Sequence, residues 1–176
     1  MSSIPSQLAT ERLVLRPVAV DDVADLLAVR NHPRVIGSTA LSAEMTTERM
    51  ELQISRWLGV WESQSVGTWV IELQGAVIGY VPLDPMGEGY PGVDPEELEL
   101  GVVIHPDHWG NGIAGEAGLA VAVDSFGRAQ LPHLFATVDL DNDQSLAVIA
   151  KAQGAELLSE DDGERLYRFP NPAVTE

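Results

Sequence analysis

Apolar and polar residues alternate along several short stretches of the chain, and a period of two is typical of a strand with one buried face. The first such stretch runs from Leu8 to Val18, and two more on either side of Gln74-Gly75 predict a hairpin. A segment rich in Gly, Pro and acidic residues predicts a loop over 84–96. The predicted strands are 8–18, 68–73, 76–83, 97–104 and 134–140, with a closing hairpin over 156–169 that turns at Asp161-Asp162-Gly163.

Other stretches repeat their apolar residues every three or four positions, as a helix with one buried face does. The predicted helices run from Asp21 or Asp22 to just before Pro33, from Thr46 or Thr47 to Val60, over 112–126, and from a cap at Asp143 to Ala152. Trp57 and Trp61 lie on the apolar face of the second helix and are expected in the core. Early hairpins followed by β-α-β-α predict an α/β (α+β) fold, with helices flanking a mixed, mostly antiparallel sheet.

A glycine-rich turn over 110–115 joins the predicted strand 97–104 to the following helix. Glycines at such a turn leave backbone N–H groups uncovered at a helix N-terminus, where the dipole favours an anion. The glycines also fit the dinucleotide fingerprint G-x-G-x-x-G, although five residues separate the strand from the first glycine. Asp139 is also late for a ribose-binding acid. A dinucleotide-binding oxidoreductase is therefore the weaker of two interpretations.

The same turn resembles the pyrophosphate loop of the GNAT superfamily of acetyl-CoA-dependent N-acetyltransferases, Gln/Arg-x-x-Gly-x-Gly/Ala, with Trp109 in the first position. That tryptophan and the pair Glu116-Ala117 are typical of the RimJ/RimL-like branch, whose namesakes acetylate the N-termini of ribosomal proteins. The segment 8–17 resembles the opening Thr-Glu-Arg-Leu-x-Leu-Arg strand of that branch. Residues 142–151 resemble its Asn-x-x-Ser-x-x-Val-x-x-Lys signature. The matches span residues 8–169 and imply a single N-acetyltransferase domain over 1–176.

The resemblance implies the GNAT fold, in which two central strands, here 97–104 and 133–140, begin side by side and splay apart. Unpaired backbone groups at the splay can hold a pantetheine arm as an added strand. Acetyl-CoA is the implied cofactor, no metal is expected, and a primary amine attacks directly while a backbone N–H near Val103 stabilises the oxyanion. The implied cofactor-binding residues are Val102, Val103, Ile104, Trp109, Gly110, Asn111, Gly112, Ile113, Ala114, Asn142, Ser145 and Lys151.

Two carboxylates in the strand 97–104 are candidates for the base that accepts the proton of the amine. The apolar residues of this strand alternate towards one face, so Glu97 and Glu99 share the other face. Glu99 is the leading candidate and Glu97 the alternative, although strand carboxylates often do no more than face solvent. His105 and His108 flank the turn and are further candidates for the base, since histidine can act as one at neutral pH, but His105 better suits a capping role in the loop.

Three residues after the second central strand are further candidates. The resemblance to the RimJ/RimL-like branch implies that Ser145 is a catalytic candidate that donates a hydrogen bond to the thiol of CoA. The position where the wider superfamily often has a tyrosine acid holds Ile149. Asn142 can bind the amides of pantetheine, cap the helix, or do both. Lys151 can approach the cofactor phosphates or complement the helix C-terminus.

The net charge of the chain limits the classes of molecule that it is expected to bind. The 176-residue chain has a net charge of −17 and a single lysine, Lys151, so it offers no basic stripe for nucleic acid. An acidic surface attracts protonated amines, and the loop 84–96 adds the carboxylates of Glu88, Asp94 and Glu96. The expected acceptor is a cationic small-molecule or peptide amine in a pocket shaped by residues 30–50 and this loop. The alternative from another class is a non-catalytic acyl-CoA-binding regulatory module.

Other features of the sequence bear on where the protein is located and whether it forms oligomers. Hydrophobic residues make up 45% of the chain, which is typical of a globular protein, and there is no cysteine. No apolar run is long enough to span a membrane, and Met1 to Pro5 lacks the features of a signal peptide. A cytoplasmic location without membrane attachment is therefore expected. Dimers are common in the superfamily that the chain resembles, so the resemblance also allows a homodimer.

Overall fold

The computed structural model describes residues 7–37 and 43–174. The strands in these residues are β1 (Leu8–Ala9), β2 (Val14–Pro17), β3 (Trp69–Leu73), β4 (Ala76–Val81), β5 (Leu83–Pro85), β6 (Leu98–Leu100), β7 (Val103–Ile104), β8 (His133–Asp139), β9 (Glu156–Asp161) and β10 (Glu164–Pro170). The α-helices are α1 (Val23–Arg30), α2 (Pro33–Ile36), α3 (Thr47–Gln64), α4 (Ile113–Ala129) and α5 (Asp143–Lys151). None of these helices combines the length and apolar character needed to cross a bilayer.

The strands form two five-stranded sheets, ordered β1-β2-β3-β4-β7 and β5-β6-β8-β10-β9. Among the described residues β6 and β8 are the one parallel pair, and all other neighbours are antiparallel. A mostly antiparallel arrangement with flanking helices agrees with the predicted fold class. It also excludes a doubly wound parallel sheet, the setting that a dinucleotide fingerprint requires.

The prediction of one continuous strand over 97–104 is wrong, because the chain breaks at residues 101–102. The N–H of Gly101 donates to the carbonyl of Pro82 at 3.1 Å, and Val102 makes no backbone hydrogen bond within the described residues. The first half, β6, therefore pairs with β5 and β8, whereas the second half, β7, pairs with β4 in the other sheet. The break divides the expected single sheet into two.

The predicted splay of the two central strands is present. The strands β6 and β8 share one register pair, Glu99 with Phe135, and no pairing between β7 and β8 follows it. Beyond Glu99 the two strands diverge, so the edge of β8 after Phe135 and the backbone of Val102 face each other without sheet hydrogen bonds. The splay opens towards the glycine-rich turn that follows β7.

Several predicted boundaries also need correction. The stretch 8–18 is two strands, since Thr10 donates its N–H to the carbonyl of Leu13 and turns the chain. The strand β5 occupies the start of the predicted loop 84–96, and α2 was not predicted. The helix α3 continues past Val60 because Trp61 is buried, and it ends at Ser65 with a φ of 61°.

Helices cover the sheets from two sides. The side chains of Ile113, Ala117 and Val121 bring α4 into the larger core, together with both strand halves that flank the break. On the other side α1 and α3 pack through a second cluster that holds Trp57 and Tyr80. As predicted, Trp57 and Trp61 are buried, at 3% and 2% exposure. The splay is therefore bounded by α4 on one face and by α1 and α3 on the other.

Candidate active site

The glycine-rich turn ends in a helix whose N-terminus has no side-chain cap. Gly110 and Gly112 adopt φ values of +76° and +75°, a conformation that glycine adopts without strain. Gly112 is the N-cap of α4 and supplies no side chain to the helix. The N–H groups of residues 112–115 make no hydrogen bond to any group in the described chain. These donors, at the positive end of a 17-residue helix, form a site for an anion.

Three side chains hold this turn in place. The indole N–H of Trp109 donates to the carbonyl of Ile104 at 2.8 Å, and the guanidinium of Arg34 lies 4.9 Å from the centre of the Trp109 ring. On the opposite side Arg12 donates to the carbonyl of Asn111 at 2.7 Å. With its one polar atom committed, Trp109 fixes the turn through packing and cannot offer its N–H to a phosphate.

The backbone of Val102, at the strand break, is available for a ligand in the splay. Val103 and Ile104 pair with Tyr80 and Gly79 of β4, and the carbonyl of Ile104 accepts the indole N–H of Trp109. Val102 retains an unpaired N–H and carbonyl. An extended ligand lying in the splay could satisfy them, as the sequence predicts for this part of the strand.

Glu99 lies at the point where the two central strands separate. Its Oε1 accepts the backbone N–H of Thr137 at 2.9 Å and also the hydroxyl of that residue. The carboxylate thereby pairs the first backbone group of β8 that has lost its strand partner. No described residue donates to Oε2 of Glu99, so this oxygen is available to a substrate.

Glu97 shares the face of Glu99 but is fully engaged. Its Oε1 lies 2.5 Å from Nε2 of His133, and its Oε2 accepts the N–H of Asp94 at 2.9 Å. These bonds connect the loop before β6 to the start of β8. Between the two carboxylates that the sequence leaves open as the base, the geometry favours Glu99, since Glu99 alone has an uncommitted oxygen at the splay.

A third carboxylate lies on this face, that of Glu164, which the sequence analysis does not predict as a site residue. It lies opposite Asp139 across β8 and β10, and its Oε1 accepts a hydrogen bond from the hydroxyl of Tyr90 at 3.2 Å. Burial raises the pKa of Glu164 above its ordinary value, and the negative charges of Glu99 and Asp139 raise it further, against the effect of the Tyr90 hydrogen bond. Burial and the carboxylate of Glu164 also raise the pKa of Tyr90 to about 12.

Asp84 completes the acidic face from the neighbouring strand. It stands directly opposite Glu99 in the register of β5 and β6. Its Oδ1 accepts both the indole N–H of Trp57, at 2.8 Å, and the amide of Gln53, at 3.2 Å. Burial raises the pKa of Asp84, although these two hydrogen bonds and Arg56 oppose the rise. We call the side chains of Asp84, Glu97, Glu99, Asp139 and Glu164 the acidic face.

A groove of about 960 Å³ adjoins the acidic face at the ends of β6 and β8 away from the glycine-rich turn. Two loop residues proposed from the sequence, Asp94 and Glu96, line it together with Asp84 and Glu97. Glu88, the third, is exposed on the same loop. Of the residues 30–50 expected to shape an acceptor pocket, 38–42 lie outside the described residues.

The remaining candidates follow β8. Asn142 caps α5, as one of the roles left open for it predicts, because its side-chain oxygen accepts the N–H of Ser145 at 3.1 Å. The cap predicted at Asp143 is wrong by one residue. The hydroxyl of Ser145 makes no hydrogen bond within the described chain. Lys151 is exposed at the last position of α5, where its charge complements the helix C-terminus. No cluster of three or more His, Cys, Asp or Glu side chains in residues 7–37 and 43–174 is arranged to hold a metal ion.

The histidines beside the glycine-rich turn have local partners. His105 caps the 3₁₀ turn Pro106–His108 through Nδ1, which accepts the N–H of Asp107 at 3.4 Å. Its ring contacts those of His32 and His108, with centroids 5.0 and 6.3 Å away. The capping role expected for His105 is thus present.

Comparisons with known proteins identify the family that this fold and site define. Residues 12–154 match the acetyltransferase (GNAT) domain, and the chain therefore belongs to the GNAT acetyltransferase family. It is 25% identical over 146 residues to the uncharacterized N-acetyltransferase YoaA of Bacillus subtilis (strain 168), covering 82% of this chain and 80% of YoaA.

Solved structures agree with this assignment. An acetyltransferase from Agrobacterium tumefaciens str. C58 is 28% identical with a TM-score of 0.76, and the match covers 97% of both chains. RimL, a ribosomal L7/L12 α-N-protein acetyltransferase, shares the fold with a TM-score of 0.69 at 16% identity, over 96% of this chain and 93% of RimL. The resemblance to the GNAT superfamily is confirmed.

Proposed function

We propose that the protein is an N-acetyltransferase of the RimJ/RimL-like branch that moves the acetyl group of acetyl-CoA to a cationic primary amine. One observation carries the proposal: a single stretch of chain leads from the carboxylate of Glu99, through the strand break at Val102, to the uncapped N-terminus of α4. An amine-binding group, an unpaired strand edge and an anion site follow one another in that order. The family membership of the chain supports acetyl transfer as the reaction.

Acetyl-CoA fits this arrangement at two places. The backbone N–H groups of residues 112–115 would hold its diphosphate, and the carbonyl of Val102 would accept an amide N–H of the pantetheine arm. Asn142 can donate its side-chain amide to the same arm, because its capping bond uses the oxygen alone. When bound, acetyl-CoA supplies an activated acetyl group as a thioester. The hydroxyl of Ser145 would donate a hydrogen bond to the departing sulfur.

The acidic face would handle the amine. An ammonium group must lose a proton before it attacks, and the free Oε2 of Glu99 is placed to accept that proton, directly or through water. The carboxylate of Glu164, near Glu99, would hold the ammonium form before the transfer. The unpaired N–H of Val102 would stabilise the negative charge that develops on the carbonyl oxygen. No covalent link to the protein is needed.

The excess of carboxylates around the splay favours a cationic acceptor. The groove beside the acidic face is lined by four of them against Arg56 and His133. Such a surface concentrates protonated amines and repels anionic competitors. A polyamine, an aminosugar and a peptide N-terminus all satisfy this chemistry, so the acceptor panel should contain all three.

A screen of amine acceptors with acetyl-CoA, detected by release of the CoA thiol, tests the proposal. We expect at least one cationic amine to release thiol well above the hydrolysis background, and Glu99→Gln to abolish most of that release. Binding is measured separately by thermal unfolding. Acetyl-CoA at a hundredfold excess over its dissociation constant should add about 2.7 kcal/mol of stability, whereas NAD and NADP should add none.

The outcomes separate the alternatives. Stabilisation by acetyl-CoA without thiol release from any amine would favour the non-catalytic acyl-CoA-binding module. Stabilisation by NAD with none by acetyl-CoA would reject the cofactor assignment.

A further inference from the structure

A cluster of hydrogen bonds joins the N-terminal turn of the chain to the first turn of α4, more than a hundred residues later. The carboxylate of Glu116 accepts the hydroxyl of Thr10 at 2.5 Å and the backbone N–H of Arg12 at 3.0 Å. Its other oxygen accepts Nε and Nη2 of Arg12, at 2.7 and 2.6 Å. The same guanidinium donates from Nη1 to the carbonyl of Asn111 at 2.7 Å.

Glu116 is an anion at the place where the protein is expected to bind one. It lies in the first turn of α4, one residue beyond the free N–H groups of residues 112–115. Although burial opposes it, the hydrogen bonds from Thr10 and Arg12 hold the pKa of Glu116 below its ordinary value. Its negative charge at neutral pH would compete with a phosphate for the positive end of the helix dipole and repel that phosphate.

Arg12 places a positive charge between Glu116 and the glycine-rich turn. Its Nη2 lies 3.7 Å from the point that a Cβ on Gly112 would occupy, and its side chain is 41% exposed. Its bonds to Asn111 and Glu116 use three of the five guanidinium N–H groups and clamp the turn from both ends. Trp109 occupies the position where the family's pyrophosphate loop has Gln or Arg, so the turn itself carries no cation.

We propose that Arg12 is a positioning residue for the diphosphate of acetyl-CoA, which acts by cancelling the charge of Glu116 and fixing the carbonyl of Asn111 so that the helix N–H groups remain open to the ligand. The inference rests on the proposed function for the identity of the ligand. It assigns a role to the Thr-Glu-Arg segment and to Glu116, neither of which takes part in the chemistry proposed above.

The sign of the effect distinguishes charge compensation from mere structural support, because the two partners carry opposite charges. The dissociation constant for CoA, measured by isothermal titration calorimetry, needs no knowledge of the acceptor. Arg12→Gln should weaken CoA binding by about tenfold, since it exposes the carboxylate to the diphosphate. Glu116→Gln should bind CoA as tightly as the unmodified protein or up to about threefold more tightly, and the double variant should recover most of the loss.

A matched control exists on the same helix. Arg128 pairs with Asp124 at 2.7 Å near the other end of α4, so Arg128→Gln removes a comparable ion pair without touching the turn. It should leave the dissociation constant unchanged. Thermal unfolding of every variant reports the structural cost, which we expect to be similar for Arg12→Gln and Glu116→Gln.

Three results would overturn the proposal: unchanged CoA binding in Arg12→Gln, equal losses in Arg12→Gln and Glu116→Gln, or no recovery in the double variant. Should Arg12→Gln fail to fold, Glu116→Gln decides by itself, and a loss of CoA affinity in that variant rejects charge compensation. Absence of CoA binding in the unmodified protein would instead reject the proposed function.

Discussion

The two ends of the splay present different chemical groups to a ligand. The phosphate end is one continuous segment, residues 109–116, whose binding groups are backbone N–H donors at a helix N-terminus. The acidic face gathers carboxylates from β5, β6, β8 and β10 and from the residue before β6, which are distant in sequence. In a chain with a net charge of −17, the phosphate end nevertheless has arginines on both sides, Arg12 and Arg34.

This difference determines how each end should respond to pH and to amino-acid substitution. A backbone site depends on φ values and on the absence of a Cβ, so it is insensitive to pH and sensitive to glycine substitution. A site made of neighbouring carboxylates depends on their ionisation, so pH and isosteric amide substitutions should perturb it. If the two ends serve cofactor and acceptor, the first class of change should affect cofactor affinity and the second should affect turnover.

The largest effect is expected at the acidic face, from Glu99→Gln. The amide keeps an oxygen for the N–H of Thr137 but cannot accept the proton of an ammonium, and a general base contributes about 10² to 10⁴ in rate. We expect a loss of this size in kcat/KM at neutral pH, which shrinks as pH approaches the pKa of the free amine. Affinity for acetyl-CoA should barely change.

Glu97→Gln is the matched control, since it alters a carboxylate on the same face that is already engaged by His133 and Asp94. It should cost far less turnover than Glu99→Gln. A loss below about threefold in Glu99→Gln together with a large loss in Glu97→Gln would transfer the role of base to Glu97.

The next effect belongs to the phosphate end. Gly112→Ala adds a Cβ beside the free N–H groups, where a phosphate oxygen must approach, and should weaken acetyl-CoA binding at least about tenfold. The left-handed backbone also strains any side chain there, by about 1–2 kcal/mol. Gly75→Ala reproduces that strain at a φ of +81°, in a hairpin turn with open space around the glycine.

Isothermal titration calorimetry with CoA compares the two glycine variants. Equal affinities in Gly112→Ala and Gly75→Ala would show that the anion binds elsewhere. A selective loss in Gly112→Ala with unchanged turnover at saturating acetyl-CoA would support the division between the two ends.

The same division explains what the sequence predicts well. The glycine-rich turn is a contiguous motif, and the shared face of Glu97 and Glu99 follows from the period of a strand. Both are local properties. The break at 101–102 is not local, because the apolar alternation from Leu98 to Ile104 continues across it, and the interruption arises where Gly101 bonds to Pro82 of another segment.

Non-local partners account for the other omissions. Glu164 belongs to no motif, and its meeting with Tyr90 and Glu99 depends on how β10 and the loop after β5 fold over β8. One sequence signal was available, since Glu164 stands two residues before the buried Leu166 and so shares its face. The pairing of Arg12 with Glu116 likewise appears only when the N-terminal turn and α4 are brought together.

A smaller effect on turnover is expected from Glu164→Gln, in the form of a changed pH profile. Burial and the charges of Glu99 and Asp139 raise the pKa of Glu164, so its ionised form is lost on acidification at a higher pH than for an ordinary glutamate. If ionised Glu164 holds the ammonium, kcat/KM falls through that range, and in the variant this contribution to the acidic limb is absent.

The expected loss for Glu164→Gln at neutral pH is about threefold to tenfold. Profiles of kcat/KM between pH 5 and 9 test the prediction, with Glu160→Gln on the exposed strand β9 as a control. An identical acidic limb in Glu164→Gln and in the unmodified protein would exclude Glu164 from the acceptor site.

The smallest effect concerns stability and comes from Asp84→Asn. Burial raises the pKa of Asp84, so ionisation favours the unfolded state, and the protein loses stability as pH rises from the ordinary aspartate pKa through the folded value. The asparagine oxygen can still accept both bonds from Trp57 and Gln53.

The variant should therefore be more stable at neutral pH, by about 0.5–2 kcal/mol, or roughly 2–4 °C per kcal/mol in Tm. Thermal unfolding between pH 3 and 8 should show the difference growing with pH, and exposed Asp141→Asn should show no such trend. If the difference in free energy of unfolding between Asp84→Asn and the unmodified protein stays constant with pH, ionisation of the buried Asp84 does not destabilise the fold.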